Sequence, residues 1–319
     1  MNKLRIALVG VGHLGRYHAE KLCQIPKAEL VCLVDIQEER LREAEKNLKE
    51  RYGKSVRLER DFRKVIPEVD AFVVATPTIT HYEIAKEILA SKKALFLEKP
   101  LSDSLEKAEE LVEMAEENKI PFQVGYIERY QRAVKRLLER VKNPLFIEAH
   151  RLSSFSERNL DIDVVLDLMI HDLDLLCFLK GEAEIDFIHA VGAPLFSEKP
   201  DIVNARIVYK DGTTCNLTAS RISLSRQRKF RVFEKGAYYS VDTIEKSFLE
   251  IRPDPTSKDF SIKREVFPED DPLREELTFF IEAILDGREV SPSGREALSS
   301  LKIAFKIKEE VEKNLKKVI

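Results

Sequence analysis

The stretch "LRIALVGVGHLGRYH", Leu4 to His18, decides the fold. Leu4–Val9 is an apolar run broken only by Arg5, which suits a strand covered on both faces. The chain then turns at Gly10 and enters a helical pattern. Gly10, Gly12 and Gly15 stand in G-x-G-x-x-G spacing. Gly10 permits the sharp turn, Gly12 lets backbone approach a pyrophosphate, and Gly15 lets helix and strand pack closely. The helix start adds unpaired N–H groups and a positive dipole end. The next strand pattern, "ELVCLVD", ends on Asp35 about 20 residues beyond Gly15, as a dinucleotide fingerprint requires. Glycine spacing alone is a weak signal; strand, helix and acid together predict dinucleotide binding, with His13 and Leu14 inside the loop as further cofactor contacts. Asp35 can accept a bond from a ribose diol and would repel a 2′-phosphate. Ile36 beside it offers no charge to hold such a phosphate, so NAD is favoured over NADP. Arg40, a turn further on, reads as a solvated helix arginine.

Outward from this unit the rhythm repeats. "SVRLER", "AFVVATP" (Ala71–Pro77), "ALFLEKP" (Ala94–Pro100) and "PFQVGY" (Pro121–Tyr126) are strand patterns separated by helical ones. Six such strands imply an α/β, doubly wound Rossmann sheet covered on both sides. Past a helix near Arg132–Val141 the texture changes to "LFIEAHRL", "DFIHAVGA", "VNARIVY", "TTCNLTAS", "RKFRVFE", "AYYSVD" and "FLEIR". "YKDGTT" and "FEKGAYY" are hairpin signals, because glycine supplies the positive φ of tight turns. This predicts a C-terminal α+β domain with a mostly antiparallel sheet. The domains are placed at 1–124, binding dinucleotide, and 125–319, binding substrate and supporting oligomerisation. The tail, from "PLREELTFFIEAILDG", is helical again.

At 319 residues the chain suits two domains. No stretch approaches a membrane span, and no leader precedes "KLRIALVG", so a cytoplasmic protein is expected. A net charge of -3 gives no reason to expect nucleic acid. Cys23, Cys32, Cys177 and Cys215 are scattered in apolar runs and read as small core residues, with no metal site.

A second stretch raises a question of chemistry. "VVLDLMIHDLDLLCFL" (Val164–Leu179) is a greasy helix carrying Asp167, His171, Asp172 and Asp174. On an α-helix, Asp167, His171 and Asp174 at i, i+4 and i+7 share one face. A histidine satisfied in the core by Asp167 is the bland reading. Three polar groups on one stripe favour a site, because burial without compensating contacts costs several kcal/mol. Lys99 is the other unusual residue. It ends an apolar strand, is fixed by Pro100, and lies at the strand edge where open α/β sheets bind ligands.

The motifs G-x-G-x-x-G-x-x-His (Gly10–His18), "ATPTITHYEIA" (Ala75–Ala85), "EKPLS" (Glu98–Ser102) and "VGYIERY" (Val124–Tyr130) together resemble the glucose–fructose oxidoreductase / inositol dehydrogenase / rhizopine catabolism (Gfo/Idh/MocA) family. The resemblance runs over essentially the whole chain, and E-K-P is its most specific mark. It implies that Lys99 contacts the reacting hydroxyl and the nicotinamide region, and that Lys–Pro is often cis. It also implies that Thr76, Pro77, His81 and Glu98 line the cofactor. In the family's D-x-x-x-H motif the Asp binds substrate and the His is the acid/base, which carries over to Asp167 and His171.

Oxidising a secondary alcohol removes a hydride from carbon and a proton from oxygen. An imidazole suits proton transfer near neutral pH, and an ammonium stabilises a developing alkoxide. The reading makes His171 the base, Lys99 the electrostatic stabiliser and relay partner, and Asp167 the orienting group; from sequence either Lys99 or His171 can take the proton. "VGYIERYQRAV" and "VVLDLMIHDLDL" are most similar to members acting on nucleotide sugars, UDP-N-acetylglucosamine among them, at the 3-hydroxyl. An aminotransferase partner then consumes the ketone. The commoner form reads Asn-Pro where this chain has Gln131-Arg132. Arg129 and Arg158 are candidate contacts for a diphosphate, and Tyr126 for packing on the sugar. A free-sugar or cyclitol dehydrogenase and a non-catalytic NAD-bound sensor are the alternatives. The resemblance further implies pairing of chains, as homodimer or homotetramer, through an open sheet face.

Overall fold

The alternation expected at the start of the chain is present. It runs β1 (Leu4–Val9), α1 (His13–Gln24), β2 (Ala28–Val34), α2 (Glu38–Tyr52), β3 (Arg57–Glu59), β4 (Ala71–Val74), α3 (His81–Ala90), β5 (Ala94–Glu98), α4 (Leu105–Glu117) and β6 (Phe122–Gly125). The computed structural model describes residues 2–155, 162–254, 256 and 259–318, so Arg158 lies outside the described residues. The strands are parallel, in the order β3-β2-β1-β4-β5-β6. This is the doubly wound order, with its switch point between β1 and β4. β4 and β5 are buried at every position, as a sheet covered on both faces demands.

The second sheet follows α5 (Arg132–Arg140). Its strands are β7 (Phe146–Leu152) and, after a π-helical turn over Val165–Met169 and α6 (Ile170–Lys180), β8 (Ile185–Ala193), β9 (Ile202–Tyr209), β10 (Thr214–Ser220), β11 (Gln227–Glu234), β12 (Ala237–Asp242), β13 (Ser247–Pro253) and β14 (Phe260–Val266). They lie in the order β14-β13-β12-β11-β7-β10-β9-β8. Every pair is antiparallel except β7 with β10. Gly212 and Gly236, at φ +90° and +76°, make the two hairpin turns. β14 carries no strand signal in the sequence. It is an edge strand with Lys263, Arg264 and Glu265 in it and almost no burial, so no alternation marks it. Along β7, buried Ile147, Ala149 and Arg151 alternate with half-exposed Phe146, Glu148, His150 and Leu152. One face of this sheet is therefore covered and the other is open.

The chain divides into two compact units, Met1–Ile127 with Leu273–Leu298, and Glu128–Pro272 with Ser299–Ile319. This division differs from the boundary at 124, which gives the whole C-terminal tail to the second domain. On α7 (Pro272–Asp286), Leu273, Leu277, Phe280 and Ile281 fall at i, i+4, i+7 and i+8. They join Ile6, Leu8 and Phe96 in the core of the first unit. Phe280 meets Phe96 edge-on at 5.6 Å. The following segment stays with the same unit, since the Val124 N–H donates to Pro292 at 2.9 Å. α8 (Gly294–Val318) has its first turn in this unit and its remainder in the second. No described helix is long and apolar enough to cross a membrane.

Candidate active site

In the first unit the loops at the C-terminal ends of β1, β2, β4 and β5 carry the expected residues. Gly10 sits at φ +88°, and a Cβ there would stand 2.6 Å from the Ala75 carbonyl oxygen. A Cβ on Gly15 would stand 1.9 Å from the Gly10 carbonyl oxygen, so helix and strand touch backbone to backbone. Gly12 differs. Its Cβ would meet nothing nearer than Arg40 Nη1 at 3.7 Å. That open side is where a ligand can approach, and Arg40, though exposed, reaches back towards it. α1 begins at His13 with no side-chain cap and no acid in its first turn, which leaves its N–H groups and positive end to an anion. His13 Nδ1 takes Arg16 Nη2 at 3.1 Å.

Asp35 braces this loop. Its Oδ2 accepts from the Val11 N–H and its Oδ1 from the Gln37 N–H, both at 2.9 Å. Each oxygen keeps a second lone pair for a ribose hydroxyl. Leu14, Tyr17, Ile36 and Ile79 are the large apolar side chains left exposed in this unit, among the described residues. All four lie in or just beyond the loops after β1, β2 and β4, at the sheet edge where open α/β folds bind ligands. Open glycine, uncapped helix start, acid and apolar rim together fit a dinucleotide.

The other predicted cofactor residues are tied to one another. His81 Nε2 faces the Thr76 carbonyl and Nδ1 the Pro100 carbonyl, each at 2.9 Å. Thr80 bonds the Pro77 carbonyl and Thr76 Oγ1. His81 is thus buried between two backbone carbonyls, and burial pushes its pKa down against the pull of those bonds. Lys99 is half-buried just past β5, in a cis peptide with Pro100. Glu98, before it, is buried. Tyr126 is 1% exposed, so its ring has no face to offer a sugar, and the packing role expected of it is not the arrangement found.

In the second unit the helix is neither regular nor uniformly polar on one face. Val165–Met169 is π-helical, so the 100° step assumed for Asp167 and His171 does not apply through that turn. Asp167 and His171 are half-exposed, whereas Asp172 and Asp174 are buried. Both buried acids are committed to arginines. Asp174 takes Arg129 Nε and Nη2, each at 2.7 Å, and the guanidinium lies over the Phe178 ring at 5.0 Å. Asp172 takes Arg151 Nε at 3.1 Å and Nη2 at 2.9 Å, while Arg151 Nη1 reaches Glu128 at 2.7 Å. Burial alone would lower the Arg151 pKa, but the two carboxylates outweigh it and hold it above the ordinary arginine range. Gln131, at the departure from Asn-Pro, donates to Glu128.

Two readings change as a result. Asp174 does not share an open stripe with Asp167 and His171, and Arg129 meets the chain's own carboxylate where a diphosphate contact was expected. Asp172→Asn is expected to cost about 2 kcal/mol, the order of a hydrogen bond to a charged group. A lowered urea midpoint checks this, and an unchanged midpoint would show that Glu128 alone satisfies Arg151.

Asp163 goes unremarked in the sequence reading, although an acid just before an apolar helical run is an N-cap signal. Its Oδ1 accepts from the Val165 and Leu166 N–H groups at 2.9 and 3.0 Å, and Lys308 holds its other oxygen at 2.9 Å. It fixes the turn that bears Asp167. His18 is also without a role in that reading, though it shares the buried stripe of α1 with Gly15, Ala19 and Leu22. Among the described residues no three His, Cys, Asp or Glu side chains form a group that could hold a metal.

Comparison with known proteins gives the same direction. The profile of the oxidoreductase family with NAD-binding Rossmann fold matches residues 4–126. A UDP-N-acetylglucosamine 3-dehydrogenase of Acidithiobacillus ferrooxidans is 37% identical over 76% of this chain and 75% of its own length. The solved structure of GnnA, the UDP-N-acetylglucosamine 3-dehydrogenase from that organism, superposes with a TM-score of 0.90 at 32% identity, covering 98% of each chain. A myo-inositol 2-dehydrogenase of Thermotoga maritima is 27% identical over 97% of this chain and 96% of its own. With a dinucleotide loop, an E-K-P lysine, an Asp–His helix and a relative this similar over three quarters of its length, the chain belongs to the Gfo/Idh/MocA family of oxidoreductases.

Proposed function

We propose that the protein oxidises the 3-hydroxyl of a UDP-N-acetylhexosamine, UDP-N-acetylglucosamine first among them, to a ketone with NAD+. The observation that carries this reading is the helix that keeps Asp167 and His171 half-exposed while its other acids are bound by arginines. The chain is also 37% identical to a dehydrogenase of that substrate. Gly10, Gly12, His13, Leu14, Gly15, Asp35, Thr76, Pro77 and Glu98 would hold the dinucleotide, which supplies the hydride acceptor. A ring nitrogen of His171 takes the hydroxyl proton. The Lys99 ammonium stabilises the alkoxide as it forms. Asp167 orients both the imidazole and the sugar. The ketone then suits a transamination, so an aminotransferase is the expected consumer.

The test is NADH absorbance with NAD+ and UDP-N-acetylglucosamine, with glutamate and an aminotransferase drawing off the ketone. NADH formation that requires Lys99 and His171 supports the reading. Formation only with myo-inositol or a free sugar would move the assignment to a cyclitol or sugar dehydrogenase, which the Thermotoga relative favours. Bound NADH with no oxidation of any of these would favour a sensor.

Asp35 also makes the cofactor preference testable. Like charges placed together cost several kcal/mol, so Asp35→Asn should raise the NADP+/NAD+ ratio of kcat/KM by about tenfold or more. An unchanged ratio would mean that Arg40 and the loop set the preference. For assembly, Phe146, Phe233 and Tyr238 stand opposite one another on β7, β11 and β12, with ring centroids 5.5 and 4.9 Å apart. This half-exposed aromatic ladder on the open face supports pairing between copies, to be checked by light scattering.

A further inference from the structure

The E-K-P turn is gripped from within the first unit by a residue of the glycine-loop helix. His18, one turn beyond Gly15 on α1, has no accessible surface. Its Nε2 lies 2.7 Å from Glu98 Oε1. Its Nδ1 is enclosed with no hydrogen-bond partner, so the proton that makes this bond belongs on Nε2. The ring stands edge-on to Phe96, 5.6 Å away, which fixes its orientation. The other carboxylate oxygen of Glu98 accepts the Lys99 main-chain N–H at 3.3 Å. Across from it, a Cβ on Gly125 would stand 3.1 Å from the carboxylate, so β6 passes as close as a glycine allows. The carboxylate of Glu98 is therefore held on one side by an imidazole from the helix that follows the glycine loop, and on the other touches the backbone of Lys99.

We propose that His18 is a positioning residue for Lys99: it fixes the Glu98 carboxylate and so ties the placement of the lysine to the helix that opens the dinucleotide loop. This rests on the reading of Lys99 as the group that stabilises the reacting oxygen. A shift of the glycine loop moves α1, His18 moves with α1, and Glu98 passes that movement to the lysine. Displacements of about 1 Å are enough to cost about a hundredfold in rate, so a buried hydrogen bond 2.7 Å long is a strong lever.

The experiment uses the full chain and two substitutions. His18→Phe keeps a ring and removes the donor; His18→Gln keeps a side-chain N–H. Turnover of UDP-N-acetylglucosamine with NAD+ is measured beside the rate at which acetic anhydride labels Lys99, read by peptide mass spectrometry with and without NADH. His18→Phe should lower kcat by about tenfold to a hundredfold, with KM for sugar and NAD+ within about threefold. NADH is expected to slow the labelling of Lys99 in the wild type, and His18→Phe should lose that protection. His18→Gln should recover most of both. If His18→Phe lowers only the melting temperature, with kcat and Lys99 labelling unchanged, the pair is a stability element and the proposal is wrong. If the wild type oxidises no sugar tried, the catalytic reading of Lys99 fails. The labelling arm still decides whether His18 positions it.

Discussion

Gly15→Ala is expected to abolish dinucleotide binding and to unfold much of the first unit. The added carbon would lie 1.9 Å from the Gly10 carbonyl oxygen and 2.8 Å from its carbon, and both are backbone. Gly10 cannot yield, because it is itself at φ +88° with the Ala75 carbonyl against it and its N–H bound to Val34. The helix would have to move outward, dragging buried Ala19, Leu22 and His18 from their places. Overpacking in a well-filled core costs about 1–3 kcal/mol when neighbours can shift; here the clashing neighbour is the Gly10 main chain, so the cost is higher. Gly12→Ala is the control. With only Arg40 Nη1 nearby, at 3.7 Å, it should melt like wild type and lose affinity for NADH alone. Thermal melting and NADH fluorescence titration read the two effects. A Gly15→Ala protein that melts with wild type would sink the argument.

The second large effect is His171→Ala. Loss of a general base lowers rate by about 10²–10⁴-fold, and kcat on the sugar nucleotide should fall within that range. Stability should hold, since His171 is half-exposed and the two arginine–carboxylate pairs that lock its helix are made by Asp174 and Asp172. Asp167→Asn should lower kcat by a smaller factor, because it orients and does not carry the proton. Added imidazole should restore part of the activity of His171→Ala and none of that of a Lys99→Met protein. A His171→Ala enzyme within about threefold of wild type, well outside that range, would assign the proton to Lys99.

Much of this was legible in the sequence because the signals are local. A glycine loop, the acid after the next strand and a proline-fixed lysine lie within single βα units, and periodicity places them at one sheet edge. The polar helix was legible only in part. Its acids find arginines 45 and 21 residues away in the chain, and nothing in "IHDLDL" tells a committed carboxylate from an available one. The π turn at Val165–Met169 was equally hidden, since one extra residue in a turn leaves no mark in an apolar run. Tyr126 and Arg129 show the same limit: an aromatic and a cation beside a motif read as ligand groups until their burial is known. β14 failed in the opposite sense, as an edge strand too polar to alternate.

The path of the chain also bears on how the protein is made. Leu273, Leu277, Phe280 and Ile281 complete a core begun by Ile6 and Leu8, so the ribosome must have reached this distant helix before the nucleotide unit can close. Until then its emerging strands lack one wall, while Glu128–Pro272 is already out of the exit tunnel. The unit written first is finished late. A fragment ending at residue 127 should accordingly be cut rapidly by protease, and adding a peptide spanning 272–298 should slow that cutting. Expression of the Rossmann half as a free-standing module would call for grafting that helix onto it.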